Sequence, residues 1–202
     1  IKTLGLDRAS MTSNVLGQVL LREKYGVAPL VNLCDSDQQS MLAEHDACIL
    51  IGDLGMDAPS QGLHVMDLGQ DWTDLTGMPF VWAVWLSKND PKLSALARLL
   101  EKAPVETGFV RPRASACTLS PSGGQGRCRG VVELRGAALR RSLLIEETSR
   151  RTSWPISKVE RYLERVMSYE LGSAELNGLQ MFRNLATKHG FLSAGDTPFQ
   201  VL

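Results

Sequence analysis

Apolar positions in the first part of the chain switch between short unbroken runs and stripes at helical spacing. Thr3-Leu4-Gly5-Leu6 reads as a short apolar strand ending at Asp7. Val15, Leu16, Val19 and Leu20 then recur at i, i+1, i+4 and i+5, which predicts one buried helix face. Ser10, Thr12 and Ser13 lie between the two, where the first amides of a helix lack intrahelical partners and hydroxyls cap them. Arg22 and Lys24 suit the last turn, and Gly26 suits the residue just beyond it. Ala28–Leu33 predicts a second strand, and Ser36 or Asp37 caps a small helix through Gln38, Met41, Leu42 and Ala43. Asp46–Ile51 is apolar without alternation, so a third strand buried on both faces is expected, ending at Gly52-Asp53. Strand and helix in alternation define an α/β class with a mostly parallel sheet.

Beyond this point the pattern predicts a strand over His64–Leu68 and a short helix or turn closed by Gly77 and Pro79. Phe80–Leu86 is aromatic and β-branched, the strongest strand candidate in the chain. Asp90 and Pro91 open a helix whose stripe is Leu93, Leu96, Ala97 and Leu100. Pro104–Arg141 carries few large apolar residues and no period, which predicts an irregular or disordered insert. Order is expected to return at Leu143, with a break at Trp154-Pro155-Ile156 and Ser157 capping the next helix. Val159, Tyr162, Leu163, Val166 and Met167 form its stripe, ending near Gly172. A last helix carries Leu176, Leu179, Phe182, Leu185 and Ala186 and closes at Gly190, before a loose tail over 193–202.

Composition narrows the function classes. Lys+Arg and Asp+Glu both number 22, so no basic stripe favours nucleic acid and no polybasic helix favours a membrane surface. The longest apolar run is too short to span a bilayer. Cys34, Cys48, Cys117 and Cys128 lack zinc-ligand spacing, so no metal site is expected. Cys34 and Cys48 fall in apolar runs as free buried thiols, which suggests a reducing, cytoplasmic setting. No signal peptide is expected from the opening residues, and the start at Ile1 carries the expectation that sequence upstream is absent. The glycines of the insert do not form a P-loop, because no Gly-Lys-Ser/Thr follows them. A small molecule or another protein is the expected partner.

Two stretches are candidates for binding. Ser10, Met11, Thr12 and Ser13 open a helix, where hydroxyls and free amides suit a carboxylate or phosphate. A hydroxyl-rich helix start is ordinarily a cap without a ligand, so the stretch gains meaning only from its surroundings. Ile51, Gly52 and Asp53 end a strand, and open α/β sheets bind ligands beyond the carboxyl ends of their strands. Glycine and aspartate are also the usual turn formers. With Asp7 at another strand end, both stretches are expected to face one crevice.

Taken in order, several blocks resemble the chorismate dehydratase family of the futalosine route to menaquinone. They are Leu6-Asp7-Arg8-Ala9-Ser10-Met11-Thr12-Ser13, Ala47-Cys48-Ile49-Leu50-Ile51-Gly52-Asp53, Asp67-Leu68-Gly69-Gln70-Asp71-Trp72 and Leu75-Thr76-Gly77-Met78-Pro79-Phe80-Val81-Trp82-Ala83-Val84-Trp85. Tyr162-Leu163, Tyr169-Glu170-Leu171-Gly172 and Gly178-Leu179-Gln180-Met181-Phe182 follow. The resemblance implies a periplasmic-binding-protein-like fold of type II, with two α/β lobes and the ligand between them. On that reading residues 1–82 form the second lobe and 83–103 the hinge return strand and helix. Residues 104–142 are the insert, and 143–192 are helices that pack on the first lobe. It also implies a carbon–oxygen lyase that removes water from chorismate, a dicarboxylate, without metal or organic cofactor. The sister activity forming 1,4-dihydroxy-6-naphthoate and a non-catalytic solute-binding module are the alternatives. The N-terminal lobe and its asparagine-bearing loop have no counterpart here, so the catalytic base is unassigned and turnover by this chain alone is not expected. Val159, Leu163, Val166, Leu179, Phe182 and Leu185 are then expected to need an oligomeric contact or a partner to cover them.

Overall fold

The computed structural model describes residues 1–84, 129–168 and 171–193. They fall into two units, one of residues 1–84 with 171–193 and the other of 129–168. In the first unit β1 (Thr3–Asp7), β2 (Leu30–Cys34) and β3 (Ala47–Cys48) form a parallel sheet of order β2-β1-β3. The register pairs Gly5 with Asn32 on one side and Cys48 on the other. The helices are α1 (Met11–Tyr25), α2 (Gln38–Glu44), α3 (Gly52–Asp57), α4 (Leu68–Thr76) and, after the second unit, α7 (Ser173–Lys188). The observed class is mixed α/β with a small parallel sheet.

Alternation along β1 separates its two faces. Leu4 and Leu6 pack with Leu21 of α1, Ile49 and Leu68. Gly5 faces the other way, where Met41 and His45 from the α2 side lie over it. α1 starts where its hydroxyls predict, with Ser10 as N-cap, and stops at Gly26 in the left-handed region. Its burial is wider than the predicted stripe. Leu16, Val19, Leu20 and Leu21 are buried, and so are Ser13, Asn14, Gly17 and Gln18. Helices α4 and α7 both contact α1, so it is covered on more than its sheet side. Leu16, Leu20 and Trp72 centre this second layer, joined by Phe80, Met181, Phe182 and Leu185.

Three predicted strands are revised. The third pairs with β1 only at Ala47–Cys48, both half-buried rather than buried on two faces. Ile49 is buried beside β1, and the chain then turns into α3. His64–Leu68 forms no strand, because Asp67 caps α4 by accepting from the Gly69 and Gln70 amides at 2.9 and 3.0 Å. Phe80–Val84 is not a strand either, and Trp85 and Leu86 lie outside the described residues. Phe80 instead meets Trp72 and Phe182 edge-on at ring-centre distances of 5.4 and 5.0 Å. Aromatic β-propensity thus goes into side-chain packing, with no strand among the described residues beside it to pair with. The helix predicted from Asp90 also lies outside the described residues.

The second unit contains α5 (Arg129–Thr152), α6 (Ile156–Arg161) and a π-helical turn over Tyr162–Val166. α5 begins at Arg129, upstream of Leu143, so helix reaches into the expected insert. Ile145, Trp154 and Val159 are buried together, with Tyr162 and Leu163 against them. Pro155 rather than Ser157 precedes α6, without a side-chain cap bond. Val166 is 60% exposed and the helical segment ends there, short of Gly172. The wider π turn rotates side chains off the 3.6-residue stripe, which accounts for that departure.

The last helix closes at its predicted end, but it belongs with the sheet unit and packs on α1. Of the six side chains expected to stand unpartnered, Val159 is fully buried, and Phe182 and Leu185 pack on the Trp72 cluster. Leu163 joins the Trp154 cluster, which leaves Val166 as the exposed one and Leu179 on a cleft wall.

Candidate functional site

The site begins at the carboxyl end of β1. Asp7 is fully buried, and its Oδ1 accepts from the Ala9 amide at 2.8 Å and from the Ser36 hydroxyl at 2.7 Å. Its carbonyl accepts from the Ser10 amide at 3.2 Å and from the Asn14 side-chain amide at 2.7 Å. This fixes the turn and aims α1 away from the strand. Ser10 Oγ accepts from the Ser13 amide at 3.2 Å, and the Ser13 side chain is buried. Met11, 84% exposed, and Thr12, also exposed, are the open positions of the first turn.

No acidic residue stands in that first turn, and Arg22 and Lys24 occupy the last. The partial positive charge at the helix start therefore meets no side-chain anion of its own turn, a setting that favours a bound carboxylate. Two buried acceptor atoms beneath it, Asp7 Oδ2 and Asn14 Oδ1, lack a hydrogen-bond partner. An unpaired buried acceptor costs about 1–3 kcal/mol, so both favour a donor such as a water or a hydroxyl.

The second candidate stretch lies elsewhere. Ile51 precedes α3 without capping it, Gly52 adopts φ +60°, and Asp53 is exposed in the first turn. The positive φ is readily held by glycine. Asp53 lines a cleft of about 380 Å³ with Ser36, Asp37, Gln38, Asp57 and Pro59. Three carboxylates on that wall disfavour an anion. Asp37 also caps α2, and the hydrogen bonds from the Ser40 side chain and amide hold its carboxyl below the usual range.

Thr12 instead lines a cleft of about 260 Å³ with Val81, Trp82, Ala83, Val84, Leu179 and Phe182. Thr12 and Asp53 thus line different clefts, and Ser36 of the Asp53 cleft donates to Asp7 at the carboxyl end of β1. The separation of the clefts follows from the sheet, because α2 takes the Gly5 face and α1 the Leu4–Leu6 face. Asp53 goes with α2, whereas Thr12 goes with the aromatic layer.

Cys34 and Cys48 are free thiols, half-buried rather than buried. Burial, and to a smaller degree the nearby Cys34, pushes the Cys48 thiol up, so it is no activated nucleophile. Asn14 and Gln18, which donates to the Asn14 carbonyl at 3.1 Å, were not anticipated as part of this layer. Their signal was a pair of amides four residues apart on a helix of apolar composition.

A parallel α/β unit with an open, hydroxyl-bearing helix start after its first strand is the class that fold and site define. A family model described as menaquinone biosynthesis matches residues 2–108, just over half of the 202-residue chain. The chain belongs to that family, which gives it a role in menaquinone biosynthesis among the enzymes of the pathway. No helix among the described residues is long and apolar enough to cross a membrane.

Proposed function

We propose that the chain is a chorismate dehydratase-type hydro-lyase of menaquinone biosynthesis, of the two-lobe periplasmic-binding-protein-like type. The first turn of α1 holds one carboxylate of the substrate. Met11 and Thr12 supply open amides there, and the Ser10 and Thr12 hydroxyls supply further donors. The observation that carries the reading is this open helix start, with no acidic residue in its first turn, at a strand's carboxyl end in a chain of the menaquinone family.

The reaction asks little of covalent chemistry. A ring proton and the ring hydroxyl leave as water, and the electron pair of the broken C–H bond completes the aromatic ring. The product is 3-[(1-carboxyvinyl)oxy]benzoate. Fixing the carboxylate orients the ring, and a positive helix end stabilises the anionic charge that develops as the proton leaves. The base that takes the proton is not assigned to a residue of this chain.

The test is chromatographic. Purified chain is incubated with chorismate, and loss of chorismate is followed with formation of the carboxyvinyl-oxybenzoate. Thr12→Val is expected to weaken chorismate binding by about 1–3 kcal/mol with the fold intact. Turnover would favour the dehydratase over a solute-binding role, binding without turnover is the outcome expected while no base is assigned, and absence of binding would overturn the proposal.

A further inference from the structure

The cleft beside Thr12 has an unusual wall. Trp82 is 49% exposed, yet its position is firmly set from behind. Phe80 packs edge-on against it at 4.7 Å between ring centres, and Phe80 is itself held by Trp72 and Phe182. Gly69 at the start of α4 leaves room for the indole, since a methyl group there would sit 3.2 Å from Trp82 Cζ2. A large aromatic side chain is thus braced on one side and open on the other.

Among the described residues the remaining lining is Val81, Ala83, Val84, Leu179 and Phe182, with Thr12 as the single polar residue and no charged one. At about 260 Å³ the space is below the roughly 300–1,000 Å³ of drug-sized sites, so it suits one ring with its substituents. An aromatic face prefers offset-stacked or edge-on contact with a flat π-system over contact with a puckered saturated ring. Thr12 stands where the helix start can take a negative group.

We propose that Trp82 is the ring-stacking, specificity-determining wall of the ligand site, and that the site selects flat unsaturated-ring carboxylates over saturated ones. This rests on the preceding reading for the seat of the carboxylate at α1, and extends it to a residue that reads the ring. Trp82 acts by contact with the ligand and takes no part in proton transfer.

Benzoate and cyclohexanecarboxylate carry the same charge and differ in ring flatness, so they separate the two contributions. Binding of each to the full chain is measured by calorimetry, beside Trp82→Leu and Trp82→Phe. Benzoate is expected to bind several-fold tighter, up to about tenfold. Trp82→Leu should abolish the preference, and Trp82→Phe should keep most of it, which distinguishes lost stacking from lost folding. Equal binding of the two acids, a preference intact in Trp82→Leu, or no binding of either acid overturns the proposal. Chorismate turnover measured on the same preparations separates the two readings. Ring preference without any chorismate binding or turnover counts against the dehydratase alone, and turnover with an unchanged KM in Trp82→Leu counts against the stacking wall alone.

Discussion

The closest test of the sheet unit is Gly178→Ala. Gly178 is buried in the middle of α7, where the helix runs against the chain at Pro79. A methyl group built there would lie well inside 3.0 Å of the Pro79 carbonyl oxygen, closer than real Cβ atoms approach anything. The atom it meets is backbone, so no rotamer change relieves the overlap. That same carbonyl accepts the hydrogen bond of the Trp72 indole at 3.3 Å. Either α7 retreats, lifting Met181, Phe182 and Leu185 from Leu16, Leu20 and Trp72, or the Pro79 carbonyl moves and Trp72 loses its acceptor.

Two effects of opposite sign set the magnitude. Replacing glycine by alanine inside a helix favours folding by about 1 kcal/mol. Overpacking a tight contact costs about 1–3 kcal/mol, and an immovable backbone atom places this case at the upper end. A net loss of about 2 kcal/mol is expected. Asn177→Ala, one residue away and exposed, keeps the helix-propensity gain without the overlap and should be neutral or slightly stabilising. Urea unfolding followed by tryptophan emission reads both variants. If Gly178→Ala is as stable as the parent or more so, α7 does not pack on Pro79 as described, and the cleft beside Thr12 loses its Leu179–Phe182 wall.

Further outcomes follow from single contacts. Asp67→Ala removes the cap that accepts from the Gly69 and Gln70 amides, and should cost about 0.5–2 kcal/mol in the same unfolding assay. Glu23 accepts from Lys188 at 2.7 Å and pairs with His189 at 2.5 Å, joining the ends of α1 and α7. The Lys188 bond first, and then the His189 bond, hold its carboxyl below the ordinary 4.5. A carboxyl lowered in the folded state stabilises above its unfolded value and loses that contribution as pH falls through the folded one. Glu23→Gln should therefore lower the melting temperature at pH 7, with the gap to the parent closing as pH falls below the ordinary 4.5 and through the lowered folded-state value. A pH-independent gap would refute the ion-pair account. Ser10→Ala should lower stability by about 0.5–2 kcal/mol through loss of the α1 cap, whether or not ligand is present.

What could be read from the chain, and what could not, divides along the range of the interactions. Ser10, Gly26, Asp37 and Gly77 end or begin helices through bonds to residues a few positions away, and each stands where local chemistry puts it. The strand candidates over His64–Leu68 and at Phe80–Val84 failed because a strand exists only beside another. Phe80 satisfies the same propensity as a strand residue, yet its partners are Trp72 and Phe182, the latter about a hundred positions away. No pattern of alternation around Phe80 encodes that choice. The candidate site divides in the same manner. The hydroxyls of the first turn were visible, but Thr12 and Asp53 part company because α1 and α2 take opposite faces of the sheet. Asn14 and Gln18 are buried on a helix that two distant helices also contact, beyond its apolar stripe, and Asn14 is tied to the Asp7 carbonyl. The proposed carboxylate seat thus rests on the local structure of α1, whereas the proposed ring-reading wall depends on α7 docking. A variant that undocks α7 should therefore lose ring selectivity before it loses the affinity for simple anions, and Gly178→Ala titrated with benzoate and acetate measures that order.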